Sequence, residues 1–180
     1  GRSMDELYKN LVKVVPREQI HFKCKGCGTC CRNVKQQVPL ETLDAFRIAR
    51  YLQNHGEPIQ CMDDVLELYA EPALLDECGY FVYFLKTVGE NDACIFLDEN
   101  NRCKIHSVNP RACRTYPFIA APLDEGGFET LISFERKFHF NGPVVHPRTW
   151  MKKRFTLEDK EFLQTDLGSA KEIASLLRKV

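Results

Sequence analysis

Residues 24–31 read Cys-Lys-Gly-Cys-Gly-Thr-Cys-Cys, four thiols in eight positions. So much reactive sulfur makes poor hydrophobic core, and Gly26 and Gly28 favour a loop in which backbone and thiols close around something. Cys-x-x-Cys spacing lets two thiolates chelate one ion while the amides between them turn toward the sulfurs. Cys24, Cys27 and Cys30 extend this to three, the front of a bacterial ferredoxin-like run that takes further ligands from elsewhere in the chain. Cys31 follows Cys30 directly, so its side chain diverges, either to another metal or into the core.

The chain has nine cysteines, an odd and high count that a reducing compartment keeps as thiols or thiolates. Cys61 and Cys78 suit a role as small buried hydrophobes. Cys94, Cys103 and Cys113 bring the candidate ligands to seven thiols, and His106 makes eight groups, enough for two four-ligand sites without requiring them. Tetrahedral sulfur suits both zinc and iron–sulfur. The three-cysteine run favours a [4Fe-4S] cluster, with zinc as the alternative. Arg111 and Arg114 flank Cys113; they can offset the negative charge of a thiolate-ligated cluster, clamp a carboxylate or phosphate, or form surface salt bridges.

At 180 residues and 44% hydrophobic, the chain is long enough to bury one real core. Its 25 basic and 25 acidic residues cancel, so no global field directs it to nucleic acid or a membrane. No apolar run approaches the roughly 20 residues that span a bilayer, and no secretory signal segment opens the sequence, which reads as cytoplasmic. Gly1 to Ser3 read as a cloning scar. Residues 4–180 form one metal-binding domain, with a cysteine-cluster core over 24–118 and a C-terminal helical segment over 156–180.

Leu7, Leu11 and Val15 recur at helical spacing up to Pro16 and predict a short helix. Further helices are predicted over 40–53, ending at His55-Gly56, and over 63–70, ending at Pro72. Strands are predicted over 80–88, 91–97 and 103–105, making a small antiparallel sheet. Residues 128–140 alternate with period two, which places Glu129, Glu135 and His139 on a wet face. Residues 144–154 read as irregular around Trp150. Thr156-Leu-Glu-Asp and Ser169-Ala-Lys-Glu are both capping-box-like helix starts. The class is α+β: a small antiparallel sheet with flanking helices, organised around a cysteine-ligated metal or iron–sulfur site.

Cys24 to Cys31, Cys94-Ile-Phe-Leu and the run from Cys103 through Cys113 to Tyr116-Pro117-Phe118 together resemble the CxxCxxCC cysteine-cluster family. This is a zinc- or iron-chelating domain often described as an iron–sulfur-cluster-containing protein. The resemblance implies metal ligation by Cys24, Cys27, Cys30, Cys31, Cys94, Cys103 and Cys113 in a small α+β domain. The family commonly has Arg-Pro where this chain has Asn109-Pro110, and often tyrosine at the position of His106. A related cluster occurs in flagellin lysine-N-methylases, so methyl transfer is an activity the resemblance allows; the glycine-rich signature of a nucleotide-binding fold is absent.

Three functions follow. The first is a cytoplasmic iron–sulfur protein, an oxidoreductase or cluster-dependent transferase, working with a redox partner or a small-molecule substrate. The second is a zinc-binding structural module with closed sites. The third is a metal carrier or sensor that exchanges an ion through Cys30 and Cys31. No side-chain set for acid–base or nucleophilic catalysis stands out, so any catalysis rests on the metal.

Overall fold

The computed structural model describes residues 11–23, 31–74, 81–123, 125–134 and 139–178. In chain order the first elements are β1 (Val12–Lys13), β2 (Ile20–His21), β3 (Pro39–Leu40), α1 (Thr42–Asn54), α2 (Met62–Tyr69), β4 (Ala70–Leu74), β5 (Phe81–Leu85), β6 (Thr87–Val88) and β7 (Ala93–Cys94). A 3-10 turn (His106–Val108) leads to α3 (Arg111–Arg114), β8 (Phe118–Pro122), β9 (Phe128–Ile132), β10 (Val144–Val145), α4 (Pro147–Arg154) and α5 (Leu157–Arg178). The class is α+β as expected, with the strands divided among small antiparallel sheets ordered β1-β9-β8, β10-β2, β3-β5-β4 and β6-β7.

α1 begins at a reciprocal cap. The Glu41 side chain accepts a first-turn N–H, and Asp44 Oδ2 accepts the Glu41 N–H at 3.0 Å, pairing donors that no helical turn satisfies. Its inner stripe of Ala45, Ile48, Ala49 and Leu52 packs into the largest apolar cluster with Val65, Leu85, Phe96 and Ile105. His55 ends the helix with Nδ1 2.7 Å from Tyr51 O, as its position beside Gly56 predicts. α2 runs close to its expected span. Pro72 then lies in the edge strand β4, where a missing N–H costs no ladder bond.

Several expectations are overturned. Val12 and Lys13 form a strand against Ile132 and Leu131 rather than a helix, and Val14 N–H donates to Thr130 O at 3.1 Å. The β-branched run suits an extended chain, with Val14 buried and Val12 and Val15 exposed. Leu7 lies outside the described residues. The strand of 80–88 breaks at Lys86 into β5 and β6, that of 91–97 shrinks to β7, and that of 103–105 becomes one bridge between Leu97 and Cys103.

The long alternating strand stops at Ile132. Leu131 and Ile132 are both buried, so both faces of β9 are covered there, and Phe134 is 40% exposed. Residues 135–138, Glu135 included, lie outside the described set. His139, expected in solvent, is 1% exposed.

Residues 144–154 are ordered as β10 and α4, with Pro147 in the first turn and Lys152, Lys153 and Arg154 in the last. α5 starts at a true Thr156/Asp159 box: Thr156 Oγ1 accepts the Asp159 N–H at 3.2 Å and Asp159 Oδ2 accepts the Thr156 N–H at 3.0 Å. It then runs unbroken through Gly168, so Ser169 starts no helix. Cys61, expected to be buried, is exposed and caps α2; Cys78 lies outside the described residues. Among the described residues no helix is long and apolar enough to cross a membrane.

Candidate metal centre

Cys94, Cys103 and Cys113 border one apolar cluster, and Cys31 packs against the same cluster. Cys94 is 6% exposed on β7. Beyond it Leu97 N–H donates to Cys94 O at 2.9 Å, Leu97 bridges Cys103, and Lys104 N–H donates to Phe96 O at 2.8 Å. Asp98 Oδ1 closes the turn between them by accepting N–H groups of Asn100 and Arg102 at 2.8 and 2.9 Å. The turn therefore places Cys94 and Cys103 on adjoining stretches of one hairpin. Cys103 O accepts the His106 N–H at 3.3 Å, and Pro110 O accepts the Cys113 N–H at 2.9 Å, so the chain winds directly from Cys103 to Cys113.

Cys24, Cys27 and Cys30 lie outside the described residues; the segments on either side of them do not. Downstream, Asn33 N–H donates to Asn91 O at 2.7 Å, Val34 N–H to Asp92 O at 3.1 Å, and the Arg32 guanidinium to Asn101 Oδ1. These bonds fasten Cys31 and its successors beside the Cys94 hairpin. Upstream, Phe22 N–H donates to Pro143 O at 3.0 Å and Lys23 N–H to His139 O at 2.9 Å. The crossing is tight: a Cβ on Gly142 would stand 2.5 Å from Lys23 Cβ and 2.9 Å from Phe22 C, which requires glycine. The Phe22 ring meets Tyr116 and Trp150 edge-on at 5.6 and 5.4 Å, and Tyr116 is three residues beyond Cys113. One flank thus ends near Cys94 and Cys103, the other near Cys113.

α3 is braced by ion pairs. Arg111 is 5% exposed; its guanidinium pairs with the Glu41 carboxylate, with Nε 3.4 Å from Oε2, and its main-chain N–H donates to Asp44 Oδ1 at 3.0 Å. Arg114 donates to Arg154 O at 2.8 Å, Asn109 O at 3.2 Å and Asp159 Oδ2 at 2.8 Å. Asp159 also takes Arg47 Nη1 at 2.9 Å. These pairs are buried or half-buried, unlike surface salt bridges. Burial, reinforced by the Glu41 charge, pushes the Asp44 carboxyl up to about 7 against the pull of two N–H donors and Arg111. Burial also works to raise Asp159, but the Thr156 N–H, the Arg114 guanidinium, the Thr156 hydroxyl and Arg47 outweigh it and hold the carboxyl low.

His106 stands exposed at the start of the 3-10 turn. His139, which the sequence placed in solvent, lies beside the upstream flank with Nδ1 3.0 Å from Tyr116 Oη. Strand alternation concealed it, whereas the Thr156/Asp159 capping box was a visible signal for the brace at Asp159. Among the described residues no three His, Cys, Asp or Glu side chains converge as a metal site. The donor chemistry nevertheless suits a thiophilic metal: Cys94 lies within one apolar cluster, and Cys31, Cys103 and Cys113 pack against it.

The family model CxxCxxCC, described as "Putative zinc- or iron-chelating domain", matches residues 23–141. No solved structure matches the chain.

Proposed function

Because the chain belongs to the CxxCxxCC family of zinc- or iron-chelating domains, we propose that the metal it binds is an iron–sulfur cluster of [4Fe-4S] type. Its ligands are drawn from Cys24, Cys27, Cys30 and Cys31 with Cys94, Cys103 and Cys113, and His106 is the further candidate. The observation that carries this reading is the docking of both flanks of the cysteine loop beside the later thiols, Asn33 on Asn91 and Lys23 on His139. When bound, such a cluster supplies one-electron transfer or an open iron for a substrate. Phe22, Tyr116 and Trp150 keep water from the Cys113 side, and Arg111 and Arg114, paired with Glu41 and Asp159, brace the turn that carries it. Asp159 joins Arg47 to Arg114, which supports reading α5 as part of the same unit as the cysteine-cluster core. A reducing, cytoplasmic setting and a redox partner or small substrate complete the proposal.

Zinc in a structural site is the second reading, favoured by the deep burial of Cys94, which suits a closed site. Protein purified without oxygen decides between them. A brown sample with iron and acid-labile sulfide in proportion supports the cluster; a colourless sample with stoichiometric zinc overturns it in favour of the second reading; neither metal sinks both.

A further inference from the structure

The charges of the chain cancel overall, 25 basic against 25 acidic, yet α4 is one-sided. Its eight residues, Pro-Arg-Thr-Trp-Met-Lys-Lys-Arg, hold four cations and no acid. Arg148, Lys152 and Lys153 are exposed, and Arg148 and Lys152, one helical turn apart, are neighbours on the helix surface. Arg148 N–H donates to Pro16 O at 3.0 Å, which sets exposed Arg17 beside the start of the helix. Among the described residues no carboxylate pairs with Arg17, Arg148, Lys152 or Lys153.

Such a face costs the fold stability. Arg148 stands in the first turn, where the helix dipole favours an acid and none is present, and Lys152 repels it from the next turn. A helix this short has little stability of its own to set against that. Departures from local rules of this kind are expected at functional surfaces. The packing of α4 fixes where the face lies: Trp150 Nε1 donates to Thr115 O at 3.1 Å, and Arg154 O accepts Arg114 Nε at 2.8 Å. The inner side of α4 therefore rests on the turn that carries Cys113, while Arg148, Lys152 and Lys153 stay in water.

We propose that the exposed face of α4, with Arg17, is the docking surface for a partner protein that presents a compact cluster of carboxylates. Charge complementarity selects that class. A nucleic acid gains affinity by having many phosphates neutralised along its length, and a small basic patch on a chain of zero net charge supplies few cations for that. A helix that lies on a bilayer sets apolar residues beside its cations, whereas Trp150 and Met151 pack inward against the Phe22 and Phe118 cluster. A partner seated on α4 is one hydrogen bond and a short step of chain, Thr115 to Cys113, from the later thiols. That placement beside the centre, though not the docking itself, rests on the metal-centre reading above.

The test is binding of fluorescein-labelled poly-L-glutamate to the full chain at low salt, read by fluorescence anisotropy. Lys152→Glu with Lys153→Glu should weaken binding by about tenfold or more. Lys35→Glu with Arg50→Glu, also exposed but outside α4, should leave it at the wild-type value. Added salt should weaken binding by the wild type. No binding by the wild type, or no greater loss in the α4 variant than in the other, overturns the proposal. So does tighter binding to duplex DNA or to phosphatidylserine vesicles than to poly-L-glutamate. Should the α4 variant fail to fold, carbodiimide cross-linking of the wild-type chain to poly-L-glutamate gives the answer: the link must form at Lys152 or Lys153, and links confined to other lysines overturn the proposal. Protein that binds through α4 but holds neither iron nor zinc as purified overturns the metal-centre reading alone.

Discussion

The main-chain N–H of Arg111 donates to Asp44 Oδ1 at 3.0 Å, joining residues 67 apart in sequence. Asp44 Oδ2 takes the Glu41 N–H, so one buried carboxyl starts α1 and anchors α3 together.

That carboxyl gives stability a pH dependence. Its value in the fold, about 7, is above the ordinary 3.8, so the fold favours the protonated form. The contribution is complete below pH 3.8 and is lost as pH rises through about 7. Asp44→Asn sets an NH2 group against one of the two N–H donors and should cost about 1–3 kcal/mol at pH 5. The gap between wild type and variant in denaturant unfolding should narrow from pH 5 to pH 8; a gap that widens contradicts the assignment.

Asp159→Ala removes the partner of two guanidiniums and the cap of α5. Both arginines keep some contact with water, so the expected loss is about 2–3 kcal/mol, below that of a fully buried pair. Wild type should also show a loss of stability as pH falls below the ordinary carboxylate value, because the Asp159 carboxyl is held low and its contribution is present only while it is charged. Melting curves of the variant should lack that acid limb.

Gly142→Ala drives a methyl group into Lys23 Cβ and the Phe22 backbone. Since the backbone must shift, destabilisation of about 1–3 kcal/mol is expected. The upstream flank of the cysteine loop moves with it, so metal content after purification should fall as well. A variant that melts lower yet holds wild-type metal would separate the crossing from the centre.

Cys61 and Cys113 should respond differently to serine. Cys61 caps an exposed helix start, where serine caps at least as well, so melting temperature and metal content should stay at wild-type values. Cys113→Ser should lose metal, measured by elemental analysis, and destabilise the fold. Metal loss in Cys61→Ser would mean that the ligand set is drawn wrongly.

What was legible in the sequence was local. The stripe of Leu43, Ile48 and Leu52, the glycine after His55 and the Thr156/Asp159 box each speak within a few residues, and each marks its element. Val12 to Val15 misled because a short apolar run fits both periods, and pairing with β9 decided for the strand. α4 has no apolar stripe to find; Trp150 covers itself with Arg154, whose guanidinium lies 3.4 Å from the ring centroid. His139 was misplaced because alternation was counted past Ile132, where the strand had ended. Cysteine spacing nominated the ligands, but the bonds from Asn33 to Asn91 and Lys23 to His139 join distant parts of the chain and leave no local trace.

A helix of four residues cannot hold its own shape. The rigidity of the turn around Cys113 is lent by Glu41, Asp44 and Asp159, none of them a sulfur neighbour in sequence. A change in the C-terminal helix can therefore surface as a defect in metal loading, with every cysteine intact.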